Sequence, residues 1–409
     1  MSVSLWQRAG SDGSDGGDGR VGGVGGEPRT GRGETVSCDV AVIGAGITGI
    51  SAAIELERRG LSVVVFEAGV LAHGASGRNA GFLMRGAADN YAAAIREWGP
   101  EKASMLWRWT EDNLKALRAQ GIESLRSFEN RASCLVAVEE GEEHELRESA
   151  QLLTRDGFEA ELIEPRDGPD DAVWARAGPR VGLLNPHDAV VSPYEMVCWL
   201  RGRLKKTPVI EGVEIDQIQA DDRGRVRLTG GGAVREALCG RVLVATNAWG
   251  GVLVPGLPVV ANRGQMLAAR PKNPKDAELP HAYYINHGSE YVRQGPRGWG
   301  EGLVIFGGAR KHDEVAERSH GQEPTRAVQG KIEEMLRRWV CEEYEVVARW
   351  AGTMGFGPDG LPTIRRVGDG GAEVWYCGGF TGHGMSMAFT AAKAAVGAML
   401  DGAPTPFGP

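Results

Sequence analysis

Apolar positions along the chain change their period several times, and each change predicts an element. In "DVAVI" (residues 39–43) and "LSVVVF" (61–66) they run on without alternation. Such runs suit strands buried on both faces, in the middle of a parallel sheet. Between them, residues 47–59 place Ile47, Ile50, Ile54 and Leu56 among the apolar positions of a helix. Residues 88–160 read as mainly helical and charged, with "AAAIREWGPEKASMLWRWTEDNLKALRAQG" showing helical spacing. Residues 187–206 predict a helix with Pro193 in its first turn. Further strands are expected at "RVRLTG", "RVLVATNAW", "EYVRQ" and "GLVIFGGAR", with a charged helix near 325–339. The chain closes on a strand, "EVWYCGGF", and a helix of small residues from about 384 to 400. Strands alternating with helices predict the α/β class.

Residues 1–35 break this pattern. Gly, Ser, Asp and Arg dominate them, and a segment so poor in apolar positions is expected to be a disordered, Gly-rich tail. It has no apolar core of a secretory signal, and its aspartates argue against an organelle transit peptide. The whole chain of 409 residues is long enough for two domains. Its net charge of −8, without a basic stripe, argues against nucleic acid as a partner. No run of about 18 apolar residues predicts a membrane span. The six cysteines are scattered, without a Cys-x-x-Cys pair. That fits reduced thiols in a cytoplasmic protein better than disulfides or a metal site.

Three glycine turns carry the candidate chemistry. Gly44-Ala45-Gly46-Ile47-Thr48-Gly49 follows a strand and opens a helix, and Glu67 closes the next strand. Gly44 suits the tight turn, Gly46 a close approach to pyrophosphate, and Gly49 close helix–strand packing. Backbone N–H groups at the start of the helix, near Ile47 and Thr48, favour phosphate. Glu67 can accept hydrogen bonds from a ribose diol. This much fits a Rossmann-like domain and does not separate FAD from NAD. The second turn, residues 74–81, offers Ser76, Arg78 and Asn79 as donors, with Ala80 and Gly81 allowing close approach. The third places Gly379, Gly382, His383, Gly384 and Met385 before and at the start of the last helix. His383 is a candidate base there, set against a local packing or hydrogen-bonding role.

Taken in order, the first turn, Glu67, "GASGRNAGF", "VATNAW", "GTMGFGPDGLP" and "GGFTGHGM" resemble the D-amino acid oxidase-like FAD-dependent oxidoreductases. The likeness is to glycine, sarcosine and γ-glutamylputrescine oxidase-type members, and above all to the last. It implies a Rossmann-like FAD-binding domain (36–95, 185–255 and 350–403) interleaved with an α+β substrate domain containing a large mixed sheet (96–184 and 256–349). It further implies non-covalent FAD, an amine or amino-acid substrate, and oxygen or another electron acceptor. The expected reaction is oxidation of a C–N bond by hydride transfer to the flavin, followed by hydrolysis of the imine.

The chain departs from that pattern in two places. Met354 stands where glycine oxidase-like members carry a carboxylate-binding arginine. Val304, Ile305 and Phe306 occupy the strand in which sarcosine oxidase-like members carry a lysine. Arg85, Arg263 and Arg310 are candidates for a displaced positive charge, each against a structural ion pair. Tyr283, Tyr284 and Tyr291 are candidates for an amine pocket, each against core packing. Two rival functions remain on these residues: an NAD-using dehydrogenase, and a flavoprotein of this fold that assembles or binds without turnover.

Overall fold

The computed structural model describes residues 2–12, 35–221, 224–232, 234, 236–368 and 372–407. They divide into two compact units. The first comprises Met1–Ala9, Arg78–Glu195 and Arg263–Gly352; the second comprises Gly10–Gly77, Met196–Asn262 and Thr353–Pro409.

The second unit is built on a sheet whose centre is parallel. Strand Thr35–Ile43 lies between Val63–Phe66 and Glu236–Val244, both parallel to it. Val40 to Ile43 pair with Val63 to Phe66, residue for residue. All of these are buried, which is why the sequence shows unbroken apolar runs here rather than alternation. Strand Glu236–Val244 has two neighbours on its other edge. Val226–Gly231 runs antiparallel along its first half, and Val374–Gly378 runs parallel along its second. Helices Ile47–Arg58 and Gly384–Asp401 pack against each other. Their small residues, Ala52, Ala53, Ala391, Ala392 and Ala395, are fully buried.

The first unit holds an eight-stranded mixed sheet, which includes Ser133–Ala137, Ala282–Ile285, Glu290–Gln294 and Val304–Gly308. Alternate side chains go to opposite faces, as strand geometry requires. Leu267, Tyr283, Val292, Val304 and Phe306 pack on one face with Ile332, Leu336 and Trp339 of helix Arg326–Trp339. Met266, Ala282, Leu303 and Ile305 belong to the other face, with Trp350, Phe82 and Met84. Each fully buried Val, Leu, Ile or Phe contributes about 1.5–3 kcal/mol. The stretch read as helical over residues 88–160 contains the buried strand Ser133–Ala137, too short a run to distinguish from helix by period. It also breaks at Gly99, whose φ of +80° ends one helix before Pro100 starts the next.

The start of the chain overturns the expectation of a disordered tail over residues 1–35. Leu5–Asp12 is a helix. Ser4 and Gln7 cap it reciprocally: Ser4 Oγ accepts the Gln7 N–H at 3.2 Å, and Gln7 Oε1 accepts the Ser4 N–H at 3.0 Å. Trp6 is 1% exposed and packs in the first unit beside Trp350 and Trp299. One buried indole offsets the low apolar content of its neighbours; a buried Trp→Ala change costs about 3–5 kcal/mol. The rest of that expectation, residues 13–34, lies outside the described residues. Residues 78–95 and 185–195 group with the first unit, where strands Phe82–Leu83 and Ala189–Val190 pair. Among the described residues no helix is long and apolar enough to cross a membrane.

Candidate functional site

In the second unit, strand Thr35–Ile43 ends at Gly44, whose φ is +105°. A Cβ there would be strained and would lie 2.8 Å from the Ala245 carbonyl oxygen. On Gly46 it would meet Ser76 Oγ at 2.7 Å, and on Gly49 it would lie 1.8 Å from the Gly44 oxygen. A side chain at Gly44 or Gly49 would run into backbone, whereas at Gly46 the neighbour is the end of the Ser76 side chain. Gly46 is the N-cap of the helix and gives it no side-chain cap. Ser76 Oγ accepts the Ile47 N–H at 3.1 Å, so the second glycine turn touches the N-terminus created by the first. Ile47, Thr48 and Gly49 are buried.

Glu67 is half-buried and anchored to the same turn. Its carboxylate accepts the Ala45 N–H at 2.8 Å and the Gly69 N–H at 2.9 Å. Burial pushes its pKa up, these two N–H groups oppose the rise, and Glu211 adds to it. Each oxygen receives one donor and keeps acceptor capacity. The glycine cradle, the helix N-terminus and the carboxylate together fit a dinucleotide's pyrophosphate and ribose diol.

The third turn lies between strand Val374–Gly378 and helix Gly384–Asp401. Gly379, Thr381 and Gly382 all have positive φ, at +69°, +49° and +91°. The Thr381 N–H donates to the Gly355 carbonyl at 2.9 Å. His383 is the N-cap of the helix, and its Nδ1 lies 3.1 Å from the Thr381 carbonyl. A carbonyl only accepts, so Nδ1 carries the hydrogen and Nε2 is the basic nitrogen of the neutral ring. Met354 is beside this turn: a Cβ on Gly382 would lie 3.7 Å from its Sδ. Met385 is buried. Gly384 is not imposed by packing, because a Cβ there would make only ordinary contact with Phe380.

In the first unit, Arg78, Asn79, Ala80 and Gly81 form a turn in which Arg78 is buried and donates from Nη1 to the Ala351 carbonyl at 3.0 Å. Among the candidate displaced arginines, Arg85 and Arg263 form ion pairs. Arg85 donates to Asn185 Oδ1 at 2.6 Å and pairs with Glu111 at 3.2 Å. Arg263 pairs with the fully buried Glu317 at 2.6 Å. Arg310 is half-buried on the short turn Arg310–Asp313. Every residue of strand Val304–Gly308 is buried. Tyr283 belongs to the core and donates its hydroxyl to Asp171. Tyr284 and Tyr291 are half-buried, their rings 5.6 Å apart, and both meet Phe82 edge-on.

Four further residues shape these turns without having been singled out. Asn247 organises the third turn from inside "VATNAW"; its φ of +49° is a conformation Asn tolerates. Trp6, Trp350 and Arg293 hold the turn at residues 78–81. The Ser4–Gln7 capping spacing was a readable signal for the helix that carries Trp6. Nothing local marks Trp350 or Arg293, whose partners are more than two hundred residues away in the chain.

A family model described as FAD dependent oxidoreductase matches residues 39–397. The γ-glutamylputrescine oxidoreductase of Escherichia coli (strain K12) is 24% identical over 384 residues, which cover 88% of this chain and 83% of that protein. Glycine oxidase from Geobacillus kaustophilus superposes with a TM-score of 0.73 at 18% identity, over 91% of this chain and 96% of its own. L-proline dehydrogenase from P. horikoshii gives a TM-score of 0.73 at 17% identity, with the same coverage. The structural likenesses show a shared fold.

Proposed function

This chain belongs to the FAD-dependent oxidoreductase family, and from that premise we propose that it oxidises the C–N bond of an amine or amino acid, with an imine as first product. The observation that carries the reading is the cradle at Gly44, Gly46 and Gly49, where a side chain on Gly44 or Gly49 would run into backbone, closed by a Glu67 carboxylate bonded to the Ala45 N–H. We assign the pyrophosphate to the N-terminus at Ile47 and Thr48, and the ribose diol to Glu67. Ser76, Arg78 and Asn79 of the second turn supply donors, with Ala80 and Gly81 allowing close approach. When bound, FAD supplies the acceptor for the hydride on the carbon beside the substrate nitrogen.

The protein's own contribution is position and electrostatics. Helix Gly384–Asp401 presents its positive end beside the turn of Gly379, Gly382 and His383, where negative charge is stabilised. The basic Nε2 of His383 is the group that takes a proton from a protonated amine, which must be neutral to react. Met354 beside Gly382 gives an α-carboxylate no charged partner, and Arg85 and Arg263 are committed to Glu111 and Glu317. Burying an unpaired carboxylate costs several kcal/mol, so amines without an α-carboxylate are the preferred class. Tyr284 and Tyr291 offer ring faces to a cationic or apolar tail.

The absence of both an arginine at the position of Met354 and a lysine in the buried strand Val304–Gly308 supports a second reading, a flavoprotein of this fold that assembles or binds without turnover. The test is anaerobic. Purified protein with a flavin spectrum is mixed with a panel of amines and amino acids. Saturable bleaching by an amine supports the oxidoreductase; a flavin that no amine bleaches favours the second reading. A protein that neither carries nor takes up flavin sinks both.

A further inference from the structure

The carbonyls of residues 78–81 are taken up one after another by side chains from distant parts of the chain. Trp350 Nε1 donates to the Arg78 carbonyl at 2.8 Å. Trp6 Nε1 donates to the Asn79 carbonyl at 2.7 Å. Arg293 Nη1 reaches the Ala80 carbonyl at 3.2 Å and the Gly81 carbonyl at 3.4 Å, and the latter also accepts the Val191 N–H at 2.9 Å. The turn is also closed from within, where Asn79 Oδ1 accepts the Gly81 N–H at 2.7 Å. Gly81 has a φ of +76°, and a Cβ there would lie 1.9 Å from the Val191 oxygen. Little in this turn can move without breaking a buried hydrogen bond.

Trp6 is the unexpected member of the set. It comes from the short helix Leu5–Asp12, which precedes every other described element. Its ring lies over the Arg293 guanidinium, 5.7 Å from centroid to charge, and meets Trp350 edge-on at 6.4 Å. Arg293 is fully buried, its guanidinium donates to backbone carbonyls, and among the described residues its Nη2 has no partner. The Trp6 ring is therefore one of the few groups that compensate its charge. Ser2 ties the same segment down: Ser2 Oγ donates to the Gln322 carbonyl at 2.5 Å and lies 3.4 Å from Arg78 Nη1.

We propose that residues 2–9 are a strap that sets the conformation of residues 78–81, with Trp6 a positioning residue for FAD retention. The proposal rests on the reading that the turn containing Ser76 to Gly81 holds the cofactor. Trp6 bonds to a carbonyl of that turn; it acts by holding Asn79 and, through the chain, Ser76, whose Oγ accepts the Ile47 N–H. Without the strap, the turn relaxes and must be reordered when the cofactor binds.

The test compares full-length apoproteins titrated with FAD. Trp6→Phe keeps most of the packing and removes the N–H. It is expected to raise the FAD Kd about three- to tenfold, the range of one lost hydrogen bond to a buried acceptor. Leu5→Ala is the packing control. It empties part of the same contact, keeps the Trp6 N–H, and is expected to lower the melting temperature while leaving the Kd within about twofold. Trp350→Phe removes the neighbouring donor and is expected to raise the Kd in the same direction as Trp6→Phe, which keeps the question decidable should either variant fold poorly. Equal affinity in Trp6→Phe and wild type overturns the strap, as does a Leu5→Ala protein that loses as much affinity as Trp6→Phe. A wild-type apoprotein that takes up no FAD overturns the functional reading itself, and the strap with it.

Discussion

Asn247 Oδ1 accepts the Gly379 N–H at 3.0 Å, joining the end of one central strand to the glycine turn that follows another. The Asn247 backbone is left-handed, and its carbonyl accepts the Tyr376 hydroxyl at 2.9 Å. Asn247→Ala removes the acceptor for a half-buried N–H and places Ala in a strained conformation, at a combined cost of about 2–3 kcal/mol. Asn247→Gly relieves the strain without restoring the acceptor and should recover part of the loss. Urea unfolding of the three apoproteins reads this directly; an Ala variant as stable as wild type contradicts the role assigned to Asn247.

Glu67→Ala is expected to weaken FAD binding by about ten- to a hundredfold, the value of a charge-assisted hydrogen bond. Glu67→Gln, which keeps an acceptor for Ala45 N–H, should lose less. The carboxyl pKa is raised above its ordinary 4.5 by burial. Protonation removes the charge that binds the diol, so wild-type affinity should fall on acidification at a pH higher than for an exposed glutamate. Glu67→Gln has no such titration. FAD titrations across mildly acidic pH check this, and parallel curves for the two proteins would exclude Glu67 as the titrating group.

Asp188 gives a stability signature of its own. It is fully buried, accepting from Ser133 Oγ at 2.5 Å and from Arg85 N–H at 2.9 Å. Burial lifts its pKa to about 7, with Ser133 and Arg85 opposing and Glu111 assisting. The native state therefore holds a proton that the unfolded chain releases near 3.8, the ordinary value. Folding stability attributable to this group is present below that lower value and is lost as pH rises toward 7. The slope is at most about 1.4 kcal/mol per pH unit. Asp188→Asn keeps the Arg85 N–H bond through its oxygen and reverses the Ser133 contact, its amide donating to Ser133 Oγ, and should flatten the profile in that window; an unchanged slope would assign the proton elsewhere.

Met354→Arg tests the substrate class. Stopped-flow reduction with matched amines, with and without an α-carboxylate, should favour the carboxylate-free member in wild type. The arginine is expected to shift that preference toward the carboxylate by about ten- to a hundredfold, the value of a hydrogen-bonded ion pair. A wild-type preference for the carboxylate member, abolished in an Arg310→Ala protein, would identify Arg310 as the clamp instead.

Non-covalent FAD is what the family resemblance implies for this chain, and it is directly testable. Neither residues 74–81 nor residues 352–362 contain a histidine or a cysteine. Acid precipitation should release the flavin to the supernatant. Yellow peptides in a protease digest of the pellet would show a covalent link.

The central strands, the glycine cradle and the last helix were legible because their constraints are local. An unbroken apolar run, a Gly whose φ must be positive and a helix of small residues each mark themselves within a few positions. The anchors of the second turn were not. Trp350 and Arg293 look like ordinary strand residues until the sheet brings them to residues 78–81. The helix at Leu5–Asp12 was missed for a different reason. A composition average over 35 residues hid Trp6, although the spacing of Ser4 and Gln7 was there to be read. The engagement of Arg85 with Asn185 and of Arg263 with Glu317 is likewise a tertiary fact, which no pattern of neighbours in the chain announces.

The burial of Trp6 also sets a timetable. Ser2 and Ala351, which meet in the finished strap, are 349 positions apart. At a synthesis rate of about 5–20 residues per second, the strap leaves the ribosome roughly twenty seconds to a minute before the last of its partners exists. The segment synthesised first thus waits for a partner made near the end, and its set of contacts is complete only once residue 351 has emerged.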